Sequence, residues 1–157
     1  LAESQNPAAV IERLRPWASS GLTPAQWIYA EVLYNAGFQQ ESAKWAYIAF
    51  FNTRFDTHLC KNTQATNLEK SIVMSFNKVV TGARINRDVM SQAITDAITV
   101  LKEDNNPTYI EGKHPEWVCY MVEDNAQQLT ISDQKWKDAN NHQLDNVIKI
   151  INSNLSY

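Results

Sequence analysis

Helix-boundary signals recur along this chain, and they constrain its fold more than any other feature of the sequence. Asn6-Pro7 is an N-cap residue followed by proline at the first helical position, where the missing N–H costs nothing. Thr23-Pro24-Ala25-Gln26 has the pattern of a capping box, in which the threonine and glutamine side chains bond free backbone N–H groups of the first turn. Gly37 follows the apolar residues of this second helix and predicts its end.

The second half of the chain carries similar signals. Thr66–Glu69 has the pattern of a second capping box, and Gly82 predicts the end of the helix that begins there. Asn86 predicts the cap of the next helix. A long connection follows at residues 105–117, with two prolines and one glycine, and a last helix is predicted over residues 133–152.

Together these signals predict an all-α fold, a compact bundle of five to six helices. Only 4 of the 157 residues are glycine, which disfavours a β fold built on many tight turns. The length is that of one domain, so we predict a single helical domain over residues 1–157. No run of 18 apolar residues occurs, so no membrane span is predicted.

The stretch KWAYIAFFNTRFDTHLC, residues 44–60, has the densest group of aromatic and large aliphatic side chains in the chain. On a helix over residues 39–57 its apolar side chains point in nearly every direction. A helix that is apolar nearly all round usually lies at the centre of its bundle. We therefore predict that the 39–57 helix is central and that its aromatic residues belong to the core.

The same stretch permits a second interpretation, a small-ligand or enzyme pocket beside residues 45–58. Such sites combine an apolar wall with a few polar groups that converge on the ligand. A carboxylate there acts as a general acid or base when a second carboxylate or a histidine faces it. The aromatic wall and the polar mouth of this alternative pocket would be formed by Trp45, Tyr47, Phe51, Arg54, Asp56 and His58.

The chain has two cysteines, Cys60 and Cys119, and three interpretations of them compete. A disulfide between them would close a loop of about 60 residues and stabilise the fold by about 4 kcal/mol in the chain-entropy treatment. Two free thiols are the second interpretation. Zinc is the third, since His58 and His114 complete a set of four ligands, but their spacing is not a common one for zinc. We predict the disulfide and no metal, and with the absence of an initiator methionine this favours a periplasmic or otherwise exported protein.

Residues 23–55 form a helix pair with a recurrent pattern of small residues. In A-x-x-L-Y-N-A-G-F-x-x-E-S-A-x-W, small residues let two helices approach and a glycine makes the turn. The segment resembles a tetratricopeptide or Sel1-type helix pair in the kind of residue at Ala30, Leu33, Gly37, Ala43 and Ala46. The resemblance covers about one repeat, and no second copy follows at the spacing such arrays need. It implies a single αα-hairpin and not a repeat protein.

Charge is unevenly distributed along the chain. The net charge of −3 argues against nucleic-acid binding. Residues 57–102 carry six lysines and arginines against three acids, whereas residues 103–157 carry four against nine. The acidic last third is either a solvated face or a surface for a basic partner.

None of the common catalytic or nucleotide-binding motifs occurs in this sequence, so we predict no catalytic residue and no cofactor. In size, helical pattern, cysteine pair and acidic last third, the chain resembles periplasmic immunity or inhibitor proteins of interbacterial toxin systems. That resemblance implies a non-enzymatic protein that neutralises a partner toxin by direct contact. The predicted partner-binding residues are Tyr109, Glu111, Glu116, Trp117, Glu123 and Asp124, because aromatic anchors and acidic side chains suit a cationic partner.

Overall fold

A computed structural model describes residues 6–59 and 64–102 of the protein, together with the single positions 145 and 149. Nearly all of these residues belong to six helices: α1 (Pro7–Ser19), α2 (Thr23–Asn35), α3 (Gln39–Leu59), α4 (Gln64–Ser75), α5 (Asn77–Ile85) and α6 (Arg87–Lys102). No strand occurs in this part of the chain. The predicted all-α fold is therefore confirmed.

Helix α1 begins as the sequence predicts. The Asn6 side chain accepts a hydrogen bond from the backbone N–H of Ala8 at 3.1 Å, and Pro7 takes the first helical position. The helix ends at Ser20, after which Gly21 has a φ of 87° in the left-handed region. Both ends of α1 thus follow from local residue chemistry.

The turn between α2 and α3 also confirms its predicted glycine. Gly37 has a φ of 86°, and its N–H bonds the carbonyl of Tyr34 while the N–H of Phe38 bonds the carbonyl of Leu33. This pair of hydrogen bonds is a Schellman motif, which satisfies carbonyls that the helix end leaves free. The left-handed conformation strains any residue with a Cβ, so glycine fits this position best.

The predicted capping box at the start of α2 is wrong. Leu22 is the N-cap residue and makes no side-chain capping bond. The Thr23 hydroxyl instead donates to a carboxylate oxygen of Asp56 on α3, and the Gln26 amide donates to the carbonyl of Ala18. Both side chains are buried. Their polar groups therefore bond neighbouring helices and not the free backbone N–H groups that a capping box would use.

The single helix predicted from Thr66 to Gly82 is two helices. Helix α4 begins at Gln64, before the predicted capping box, and the chain turns at Phe76 before α5 begins at Asn77. Gly82 does not end a helix, because it lies inside α5 and faces the ring of Tyr34 on α2. Close packing, and not helix termination, explains this glycine.

Asn86 caps α6 as predicted. Its side-chain oxygen accepts from the backbone N–H groups of Asp88 and Val89, at 3.0 and 3.2 Å. Asp88 places its negative charge in the first turn, beside the positive end of the helix dipole.

Helix α3 lies at the centre of the described helices, which confirms the prediction for this element. It packs against α2, α4, α5 and α6, whereas α1 packs on α2 alone among the described helices. The main cluster of buried apolar side chains draws on five of the six helices and consists of Ile11, Ala18, Trp27, Tyr29, Ala30, Leu33, Trp45, Ala46, Ile48, Ala49, Phe51, Val79, Ala97 and Leu101.

Within the described residues, no helix is long and apolar enough to cross a membrane. The connection at residues 105–117 lies outside the described residues. So does most of the predicted helix over residues 133–152, of which Asp145 and Lys149 alone are described, both helical and exposed.

Candidate binding groove

The aromatic residues of α3 are divided between the core and a surface groove. Phe51 is buried and its ring lies parallel to that of Phe55, with centroids 6.4 Å apart. Tyr47 is half-buried against the core cluster. Trp45 is buried too, but it lines the groove described below.

Arg54 and Asp56 of the alternative pocket do not line this groove. Residues two apart on a helix point about 200° apart, so Arg54 and Asp56 lie on different sides of α3. Asp56 is buried and accepts a hydrogen bond from Thr23 at 2.8 Å, while Arg54 is half-buried. His58 belongs to α3, but its side chain lies outside the described part of the structure.

Asp56 instead ends a row of buried hydrogen bonds between α2 and α3. The Trp27 indole N–H donates to the Thr53 hydroxyl at 2.7 Å, and the Asn52 side-chain amide donates to Oε1 of the Gln26 side chain at the same distance. This row was not predicted from the sequence, because Gln26 fits a cap and Asn52 shares a helix face with Trp45 and Ile48. The sequence indicates this row only through the spacing of polar side chains, which lie three and four residues apart on both α2 and α3.

A groove opens between α1 and α3, which both pack on α2. Its volume is about 430 Å³, within the range of small-molecule sites. Tyr29 and Leu33 of α2 form the floor, and Ile11, Arg15 and Ser19 of α1 form one wall. These residues recur every fourth position, which places each set on one face of its helix.

The second wall of the groove comes from the start of α3. Phe38 precedes the helix and is 56% exposed, and Glu41, Lys44 and Trp45 follow it. The ring of Trp45 meets that of Tyr29 edge to face, with centroids 5.4 Å apart. The groove therefore combines a buried apolar and aromatic base with a charged rim.

The charged side chains of the rim are held by local contacts. Arg15 lies 2.9 Å from the Glu12 carboxylate, and its Nε donates to the Tyr29 hydroxyl at 3.4 Å. The hydrogen bond to Tyr29, with the negative charge of Glu12, raises the pKa of Arg15. Across the groove, the Lys44 ammonium lies 3.4 Å from Glu41 and 5.8 Å from the centroid of the Trp45 ring.

Several residues singled out in the sequence lie outside the described residues. They are the two cysteines and the second histidine of the zinc alternative, Cys60, Cys119 and His114, and the predicted partner-binding residues Tyr109, Glu111, Glu116, Trp117, Glu123 and Asp124. Among residues 6–59 and 64–102, no group of three or more His, Cys, Asp or Glu side chains is placed to hold a metal ion.

Comparisons of the chain with protein-family models, with curated proteins and with solved structures found no match.

Proposed function

We propose that this protein is a non-enzymatic binding protein that holds a partner protein by direct contact, as exported immunity and inhibitor proteins hold their toxins. The observation that carries the proposal is the division of charge, with nine acids against four basic residues over residues 103–157. Such an acidic segment attracts a cationic partner and speeds its association. Toxins that act on anionic cell-wall polymers are partners of this kind.

The described helices supply further support. Trp17 and Phe38 are 61% and 56% exposed, and large aromatic side chains are common anchors of protein interfaces. Asp56 was the candidate general acid or base of the alternative pocket. It is buried, and it accepts a hydrogen bond from Thr23. Its position fits a structural role between α2 and α3.

The test is binding and inhibition of the protein encoded by the neighbouring gene, which is the natural candidate for the toxin. We expect stoichiometric inhibition of its cell-wall hydrolysis, and an association rate that falls as salt rises, because the screening length is about 8 Å at 0.15 M ionic strength. Trp117→Ala should speed dissociation and cost roughly 2 kcal/mol or more of binding free energy.

A matched pair of charge reversals locates the interface. Glu123→Lys with Asp124→Lys should slow association, whereas Asp88→Lys with Asp96→Lys on α6 changes the net charge equally but should have little effect. Equal slowing by both pairs would assign the effect to net charge alone. Absence of binding, or a turnover abolished by Asp56→Asn, would contradict the proposal.

We further propose that Cys60 and Cys119 form a disulfide in an exported, periplasmic protein. The even number of cysteines supports it, and disulfides persist in oxidising compartments. Mass spectrometry of the unreduced native protein should find the two cysteines linked. Two free thiols would contradict the bond, and stoichiometric zinc would instead assign His58, Cys60, His114 and Cys119 to a metal site.

A further inference from the structure

The groove between α1 and α3 has an apolar base and a charged rim. The proposed binding of a partner protein through residues 103–157 does not involve it. Its base is formed by side chains that are already buried in the core, among them Tyr29, Leu33 and Trp45. Packing on three helices holds these side chains in place, so the base is formed before any ligand arrives. A preformed apolar base loses little conformational freedom when it binds.

The rim carries two cations and one carboxylate, with Arg15 on the α1 side and Lys44 beside Glu41 on the α3 side. Arg15 presents a planar guanidinium, which matches the two oxygens of a carboxylate. Its partner Glu12 is an exposed neighbour three residues away, and an exposed ion pair of this kind contributes little to stability. A ligand carboxylate can therefore replace Glu12 at small cost.

Glu41 determines where the negative group of such a ligand lies. Its carboxylate faces the groove from α3 and repels an anion there, although Lys44 offsets part of that charge at 3.4 Å. The α1 side has no carboxylate among the lining residues, and Arg15 is held there by the Tyr29 hydroxyl. The negative group is therefore favoured beside Arg15 and the ligand body beside Trp45.

We propose that this groove is a binding site for a small planar aromatic carboxylate. The ring packs against the exposed side chain of Phe38 and the accessible edges of Tyr29 and Trp45, and the carboxylate pairs with the Arg15 guanidinium. The volume of about 430 Å³ accommodates a ligand of one or two fused rings. This proposal does not depend on the toxin partner, because it concerns a site within residues 11–45 that is tested with the isolated full chain.

The experiment is isothermal titration of the full chain with 2-naphthoate and with 2-naphthylmethanol, a neutral molecule of similar shape. We expect naphthoate to bind about threefold more tightly than the alcohol, since a carboxylate that pairs with an exposed guanidinium gains only a modest amount of affinity. Arg15→Gln should remove most of that preference and leave binding of the alcohol within about twofold. Lys70→Gln, which removes an exposed cation on α4, is the matched control and should change neither.

A steric variant tests the location independently of charge. Ser19 is exposed at the end of α1 and lines the groove, so Ser19→Trp should obstruct it and weaken both probes by about tenfold or more without disturbing the core. Ser91→Trp on the exposed face of α6 is its control. The proposal is overturned if naphthoate fails to bind at millimolar concentration, if both probes bind equally, or if Ser19→Trp binds like the parent.

Discussion

Thr23 shows how one side chain connects two helices at the residue scale. Its hydroxyl donates to the buried carboxylate of Asp56 at 2.8 Å, across 33 residues of sequence. A buried carboxylate oxygen is stabilised by each donor that bonds it. The Thr23 hydroxyl therefore stabilises the buried Asp56 side chain as well as the contact between α2 and α3.

Thr23→Val keeps the shape of the side chain and removes the donor. We expect a loss of about 1–3 kcal/mol in the free energy of unfolding, measured by urea denaturation. Thr95→Val on the exposed face of α6 is the control, since its hydroxyl bonds only the carbonyl of Ser91 within the same helix. That control should change stability by less than about 0.5 kcal/mol. Equal effects would show that the Thr23 hydroxyl contributes nothing beyond local helix chemistry.

Thr23 and Gln26 show the limit of prediction from sequence at the residue scale. Thr23 and Gln26 match a capping box letter for letter, yet their side chains bond Asp56, Asn52 and Ala18 instead. A local pattern states which bonds a residue can make, but the neighbouring helix decides which ones it makes. Asn6, Gly37 and Asn86 act as predicted, because their partners lie within five residues of sequence.

At the scale of helices, two glycines have different causes. Gly37 ends α2 in the left-handed region, and a Cβ built there would meet no atom within 4 Å. Gly82 lies inside α5, and a Cβ there would overlap the ring of Tyr34. The first glycine is required by backbone conformation and the second by helix packing.

Gly37→Ala should lower stability by about 1–2 kcal/mol, the cost of the left-handed conformation for a residue with a Cβ. Gly37→Asn should cost less, because asparagine tolerates this conformation better. Thermal and urea unfolding of both variants measure the difference. An alanine variant as stable as the parent would mean that the turn relaxes to another conformation.

Gly82→Ala should also lower stability, by about 1–3 kcal/mol, because overpacking outweighs the gain in helix propensity. The cause is the ring of Tyr34, which also lies 5.4 Å from the ammonium of Lys78. In a Tyr34→Ala background the same substitution should be neutral or stabilising. A double-mutant cycle with no coupling between the two positions would contradict this account.

For the whole molecule, the central position of α3 was predictable and the groove was not. Apolar side chains all round a helix require neighbours on every side, and α3 has four in the described part of the chain. The groove lies between α1 and α3, which both pack on α2, and their arrangement depends on packing angles that the sequence pattern does not contain. Of the residues predicted for a pocket beside α3 whose side chains the structure describes, Trp45 alone lines the groove.

The peripheral position of α1 predicts how the molecule opens. Among the described helices α1 contacts only α2, it buries Ile11 and Ala18, and Pro16 inside it removes one helical hydrogen bond. Helix α3 contacts four neighbours and buries side chains along most of its length. Regions with few buried contacts open at lower free energy than the core.

We therefore expect amide hydrogen exchange of the native protein to be faster in α1 than in α3. Amides in the middle of α1 should exchange at least about tenfold faster than those of Ile48 and Ala49 in α3, which corresponds to an opening free energy lower by roughly 1.4 kcal/mol. A groove ligand contacts α1 and α3 together and binds only the folded groove, so saturation with 2-naphthoate should slow exchange in both helices. Equal protection of the two helices in the free protein would contradict the peripheral role of α1. Faster exchange throughout both helices on adding the ligand would show that it binds an opened state and not the folded groove.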